Sequence, residues 1–130
     1  MTLPPACPEI PVAELAPALA YYRDCLRFTV DWADEALGLA GVSHGQCRLF
    51  VSSSRYRGGA EVGPIVIWLN LASRDEVDAL HALWSAAGAR IASPAEAKPW
   101  KLYEFVAKDR DGNAFRVFYD FAWEEREAQG

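Results

Sequence analysis

Apolar and polar residues along this chain keep two rhythms, and the order of those rhythms occurs twice. The opening "CPEIPV" is extended, and its prolines suit an edge strand. In "ELAPALAYYRDCL", Leu15, Leu19, Tyr22 and Leu26 recur at steps of three and four, which predicts an amphipathic helix. Three short extended runs follow: "RFTVDWA", "GLAGVS" and "CRLFVSS". The turn-like segments "DEALG" and "SHGQ" separate them.

A polar, glycine-rich stretch, "SRYRGGAEVG", reads as a linker over about 54–63. The order then recurs. "PIVIWLNL" is a strand. "SRDEVDALHALWSAAG" is a helix with Ser73 as N-cap, Glu76 completing a capping box and Gly88 as the C-terminal stop. "ARIAS", "LYEFVAK" and "AFRVFYDF" supply three more strands, the last two joined by the turn "DRDGN". The predicted class is α+β: two βαβββ modules in tandem, about 5–53 and about 64–123, within a single domain over 1–130. Each module has one helix to cover one sheet face. The other faces stay open, so two modules paired into curved sheets are expected around one cleft.

Composition narrows the function. A net charge of −5 argues against a nucleic-acid surface, which needs clustered Lys and Arg. The three cysteines, Cys7, Cys25 and Cys47, fit no zinc spacing and no disulfide framework. The N-terminus lacks the pattern of a signal peptide, and no apolar run approaches membrane-spanning length. The expectation is a cytoplasmic protein with no nucleic-acid or membrane partner. No G-x-S-x-G, P-loop or Rossmann fingerprint is present, so no catalytic residue is assigned.

Two stretches carry a family resemblance. "IPVAELAPALAYYRDCLRFTV" at the front and "PWKLYEFVAKDRDGNAFRVF" at the back together resemble the vicinal oxygen chelate superfamily. That superfamily includes glyoxalase I, extradiol dioxygenases and bleomycin resistance proteins. The back segment is similar to the family's "PWG…REF…DPDGN", with Arg110 in place of the usual Pro, a change confined to the turn. The turn itself is expected to act as a structural hairpin that fixes the register of the last strand. The resemblance implies a homodimer with clefts shared between modules of two chains.

In metal-using members, four His, Glu or Gln ligands come one each from the first and last strands of the two modules. The resemblance puts Arg48 and Arg116 at the two last-strand positions, and Cys7 and Val66 near the first-strand ones. Arginine stays protonated and cannot coordinate. His44 falls at a turn and His81 in the second helix, so neither supplies a ligand. No metal and no cofactor are expected.

With Arg48 and Arg116 on the cleft side, strand alternation assigns the rest. Phe50 and Ser52 join Arg48, Phe118 joins Arg116, Trp68 and Asn70 join Val66, and Glu9 joins Cys7. The opposite parity gives Leu49, Val51, Ile65, Ile67, Leu69, Phe115 and Val117, apolar throughout as a helix-packed face should be. Trp32 and Trp100 are placed at the mouth. The candidate ligand-binding set is therefore Glu9, Trp32, Arg48, Phe50, Trp68, Asn70, Trp100, Arg116 and Phe118. The aromatics suit a planar ligand, and they equally suit ordinary core or interface packing. Two guanidinium groups in one cleft need counter-charges: Glu9 and Glu104 are internal candidates, and a ligand carboxylate or carbonyl is the external one. The resemblance is nearest to the metal-free bleomycin resistance group. It implies a protein that sequesters an aromatic drug or metabolite; the alternative is a glyoxalase-type lyase or isomerase, or a dioxygenase, with an unusual metal site.

Overall fold

In the computed structural model, which describes residues 1–129, the two modules build two four-stranded sheets of the same plan. Module one runs β1 (Glu9–Pro11), α1 (Leu15–Asp24), β2 (Thr29–Asp34), β3 (Leu39–His44) and β4 (Cys47–Ser52). Its sheet order is β1-β4-β3-β2, with β1 parallel to β4 and the other pairs antiparallel. Module two runs β5 (Val66–Asn70), α2 (Arg74–Ala86), β6 (Arg90–Ala97), β7 (Leu102–Lys108) and β8 (Ala114–Asp120). Its order is β5-β8-β7-β6, again with the first and last strands parallel. The α+β class and the doubled βαβββ order thus hold. Among the described residues no helix is long and apolar enough to cross a membrane.

Local chemistry sets the ends of α2. The Ser73 hydroxyl accepts the Glu76 N–H at 3.1 Å, as an N-cap should. The Glu76 carboxylate accepts the N–H of Ala72 at 2.8 Å, one residue before the Ser73 N–H that the capping box requires. Gly88, at φ +87°, turns the chain out of the helix.

Three elements differ from the sequence reading. β6 continues past "ARIAS" to Ala97, carrying Pro94 on an edge strand within the irregularity of register between Ser93 and Glu96, where proline is tolerated. The first half of the linker is a turn pinned by Arg57, which donates to the carbonyls of Ser52 and Val12. A third helix, α3 (Ala122–Gln129), follows β8. Its acidic sequence shows no apolar stripe. Side chains of the second module hold it instead: Arg74 and Tyr119 reach Glu124 at 3.3 and 2.9 Å, and Lys101 reaches Glu125 at 3.0 Å.

The helix-side faces of both sheets close one core. Phe115 meets Tyr22 at 6.0 Å, Phe28 at 6.3 Å and Trp84 at 5.8 Å between ring centroids, so rings from both modules interlock. Trp84, fully buried, donates its indole N–H to the Leu26 carbonyl at 2.8 Å across the modules.

The "DRDGN" turn does more than join two strands. Asp109 Oδ1 accepts the N–H groups of Asp111 and Asn113, both at 2.9 Å. Its Oδ2 accepts the Tyr22 hydroxyl of α1 at 2.7 Å. Asn113 donates to the Pro11 carbonyl of β1 at 2.8 Å and accepts the Ile65 N–H beside β5 at 3.0 Å. Asp111 accepts the Ala13 N–H at 2.9 Å. The hairpin is therefore also a clasp between modules, with Asp109, Asn113 and Tyr22 buried. Burial, then the neighbouring Asp109 charge, holds the Tyr22 hydroxyl well above its ordinary value, so it remains a donor.

Candidate functional site

The alternation expected of the strands is the one observed. Leu49, Val51, Phe115 and Val117 are fully buried against the helices. Arg48, Trp68 and Asn70 are exposed on the opposite faces, and Phe50, Arg116 and Phe118 are half-buried there. Ser52 departs from the pattern: it is buried, because Arg57 lies over it and donates to its hydroxyl at 3.1 Å.

The open face of the first sheet gathers Trp32, Arg48 and Phe50. Trp32 meets Phe50 edge-to-face at 5.9 Å. Trp32 sits opposite Gly41 in the strand register, and a Cβ on Gly41 would come within 2.4 Å of the indole Nε1. The missing side chain is what lets the indole lie on β3. A hollow of about 330 Å³ opens here, lined by Cys7, Asp31, Trp32, Ser43, Arg48 and Phe50. Asp31 accepts the Ser43 hydroxyl at 3.1 Å. Glu9, exposed on β1, pairs with Phe50 in register.

The open face of the second sheet gathers Trp68, Arg116, Phe118 and Trp100. Trp68 meets Phe118 edge-to-face at 5.6 Å. The Arg116 guanidinium lies 4.7 Å from the Trp68 ring centre, a cation–π contact. Glu104, fully buried on β7, accepts Arg116 Nη2 at 3.1 Å and Nε at 3.3 Å, and the Trp100 indole N–H at 3.0 Å. Asn70 pairs with Phe118 as Glu9 pairs with Phe50.

The two open faces belong to separate sheets, and the hollow on the first is lined by module-one residues alone. A second, largely apolar cleft of about 620 Å³ runs along β5. It takes in Trp68 and Asn70, His44 at the end of β3, Gln46 in the β3–β4 turn, and Leu80 and Leu83 of α2.

The residues that the resemblance sets at the family's metal positions do not fit a metal. Arg48 and Arg116 carry fixed positive charge, and Glu104, buried on the second face, is engaged by three N–H donors. Among the described residues no three His, Cys, Asp or Glu side chains come together to hold an ion. His44 packs edge-on to Phe28 at 5.5 Å and His81 to Phe105 at 5.0 Å, both as ring-packing groups. The Cys47 thiol is pushed up by burial, then by Cys7, which weakens it as a nucleophile.

In the sequence Glu104 is legible as a counter-ion candidate but not as part of the site, and Gly41 carries no signal of its own. The available signal for both was cross-strand register. Glu104 lies opposite Phe118 and Gly41 opposite Phe50, and each phenylalanine follows its arginine by two residues.

The family model described as Glyoxalase/Bleomycin resistance protein/Dioxygenase superfamily matches residues 6–117. Among solved structures, the bleomycin-binding protein from bleomycin-producing Streptomyces verticillus, complexed with copper(II)-bleomycin, is 23% identical with a TM-score of 0.69 over 90% of this chain and 96% of that one. TioX from Micromonospora sp. ML1 is 17% identical with a TM-score of 0.72, over 90% and 99%. Lactoylglutathione lyase from Agrobacterium tumefaciens is 19% identical with a TM-score of 0.70, over 94% and 98%. At these identities the likeness is one of fold. No curated protein matches the sequence.

Proposed function

The chain belongs to the Glyoxalase/Bleomycin resistance protein/Dioxygenase superfamily, and from that premise we propose that it sequesters a small aromatic molecule, a drug or metabolite, without a metal. The observation that carries this reading is the Arg116–Glu104 pair. A guanidinium fixed by two hydrogen bonds stands where metal-using relatives place a ligand, so a permanent cation already sits there. Around it, Trp68 and Trp100, each half or more exposed, and the half-buried Phe118 present ring surface to solvent or to a ligand; the exposed Trp32 and the half-buried Phe50 do so on the other sheet. The bleomycin-binding protein of Streptomyces verticillus offers a precedent for binding on this fold.

The same reading makes the working form a homodimer, in which the first sheet of one chain faces the second sheet of another. Supporting it, β5 stands at a sheet edge with Val66 and Trp68 54% and 50% exposed, and the 620 Å³ apolar cleft follows that edge. An open edge with apolar side chains is a place where a second chain adds. The three free cysteines suit the reducing cytoplasm.

A thermal-shift screen of planar aromatic drugs and metabolites tests the reading, because a ligand of the native state raises the apparent melting temperature. We expect saturable stabilisation by at least one compound class, and a dimer by light scattering. A panel without any stabilising compound contradicts the binding role; chelator-sensitive turnover of a glyoxalase or dioxygenase substrate contradicts its metal-free character.

A further inference from the structure

We propose that the open face of the first sheet receives the carboxylate of an aromatic acid, with Arg48 as the anion-binding residue and Trp32 and Phe50 as the ring wall. This deepens the reading above and rests on it.

The two sheets correspond strand for strand. Phe50 and Phe118 hold the same place in the last strands, and Arg48 and Arg116 precede them by two. Across from Phe118 stands Glu104; across from Phe50 stands Gly41. In the second sheet the chain supplies its own carboxylate, and it grips the arginine from two sides. In the first sheet that place holds no side chain, and the Trp32 indole fills the space above it so closely that even a Cβ would collide. A carboxylate cannot be built there while Trp32 lies there. Arg48 is exposed and forms no ion pair among the described residues.

The other charges of this face sharpen the geometry. Asp31 lines the same hollow with one oxygen engaged by Ser43, and Glu9 lies across β1 from Phe50. Both repel an anion, so Arg48 is the one favourable place for a ligand carboxylate on this face. The hollow of about 330 Å³ sits at the lower end of the size of small-molecule sites, which suits one small ring system.

Calorimetric titration of the full chain at low salt, with three probes that share one ring, tests this. The probes are indole-3-acetate, 3-methylindole and tryptamine. We expect the acid to bind about tenfold more tightly than the uncharged probe, as a charge-assisted hydrogen bond allows, and the amine to bind most weakly. Arg48→Gln should remove the acid's advantage and Arg48→Lys should keep part of it, while the indole N–H signal of Trp32 shifts on addition of the acid to the native chain. An acid that binds no better than the uncharged probe, that keeps its advantage in Arg48→Gln, or that does not bind at all overturns the inference. If other aromatics still stabilise the protein in the wider screen, the binding role stands and only the class of ligand falls. If none does, the parent reading falls by its own test.

Discussion

The two modules share one topology but place their polar chemistry differently. In module two, polar groups are spent on fixing the structure: Glu104 holds Arg116 and Trp100, and the Asp109–Asn113 turn reaches across to α1, β1 and the start of β5. In module one the corresponding β3–β4 turn holds only Gly45 and Gln46, both exposed, and the arginine stands free beside an indole seated on glycine. One module braces its arginine with a carboxylate, and the other leaves its arginine open beside an aromatic wall. A duplicated fold can thus keep its core while its open faces diverge, because the faces contribute little to the shared interior.

The contrast can be broken most severely at the clasp. Asp109→Ala leaves the Tyr22 hydroxyl, the Asn113 amide and two backbone N–H groups short of an acceptor in a buried place. We expect a loss of about 3–5 kcal/mol in urea unfolding, whereas Gln46→Ala in the opposing turn should stay within about 0.5 kcal/mol. Equal costs at the two turns would erase the distinction between the two modules.

Next in size is Glu104→Ala. It strips both Arg116 and Trp100 of their acceptor, and since Arg116 can turn toward solvent the expected cost is about 1–2 kcal/mol. The more informative readout is anion binding: with its counter-ion gone, the second face should come to resemble the first and gain affinity for indole-3-acetate. Tyr22→Phe sharpens the clasp further. It removes one buried hydrogen bond for about 1–1.5 kcal/mol, and in combination with Asp109→Ala the two costs should fall short of their sum. Smallest of all, Arg48→Gln should leave the unfolding midpoint within about 0.5 kcal/mol of the parent, because nothing in the fold leans on this exposed side chain.

Much of this architecture was legible in the sequence because its signals are local. Period-two and period-3.6 patterns gave both modules and their order, and Ser73 and Gly88 marked the ends of α2. Alternation also separated the buried Leu49, Val51, Phe115 and Val117 from the faces carrying Arg48 and Arg116. What escaped is long-range. The sequence shows Asp109 and Asn113 as turn formers, but not that their side chains meet Tyr22 and Pro11 some hundred positions away. α3 escaped because charged contacts from Arg74 and Lys101 hold it, with no apolar stripe to announce it. The seating of Trp32 on Gly41 depends on strand register across an irregularity between Val30 and Trp32, which no local rule supplies.

The central proposal, that this protein binds its ligand without a metal because Arg48 and Arg116 stand where the family resemblance puts metal ligands, is tested most directly by metal content. The purified protein would be equilibrated in turn with zinc, nickel, manganese and ferrous ions, dialysed, and assayed by elemental mass spectrometry. The account predicts far less than stoichiometric metal in every case, unchanged in Arg48→Gln. A tightly held divalent ion at one per chain, located at the open face carrying Arg48 or Arg116, would contradict it.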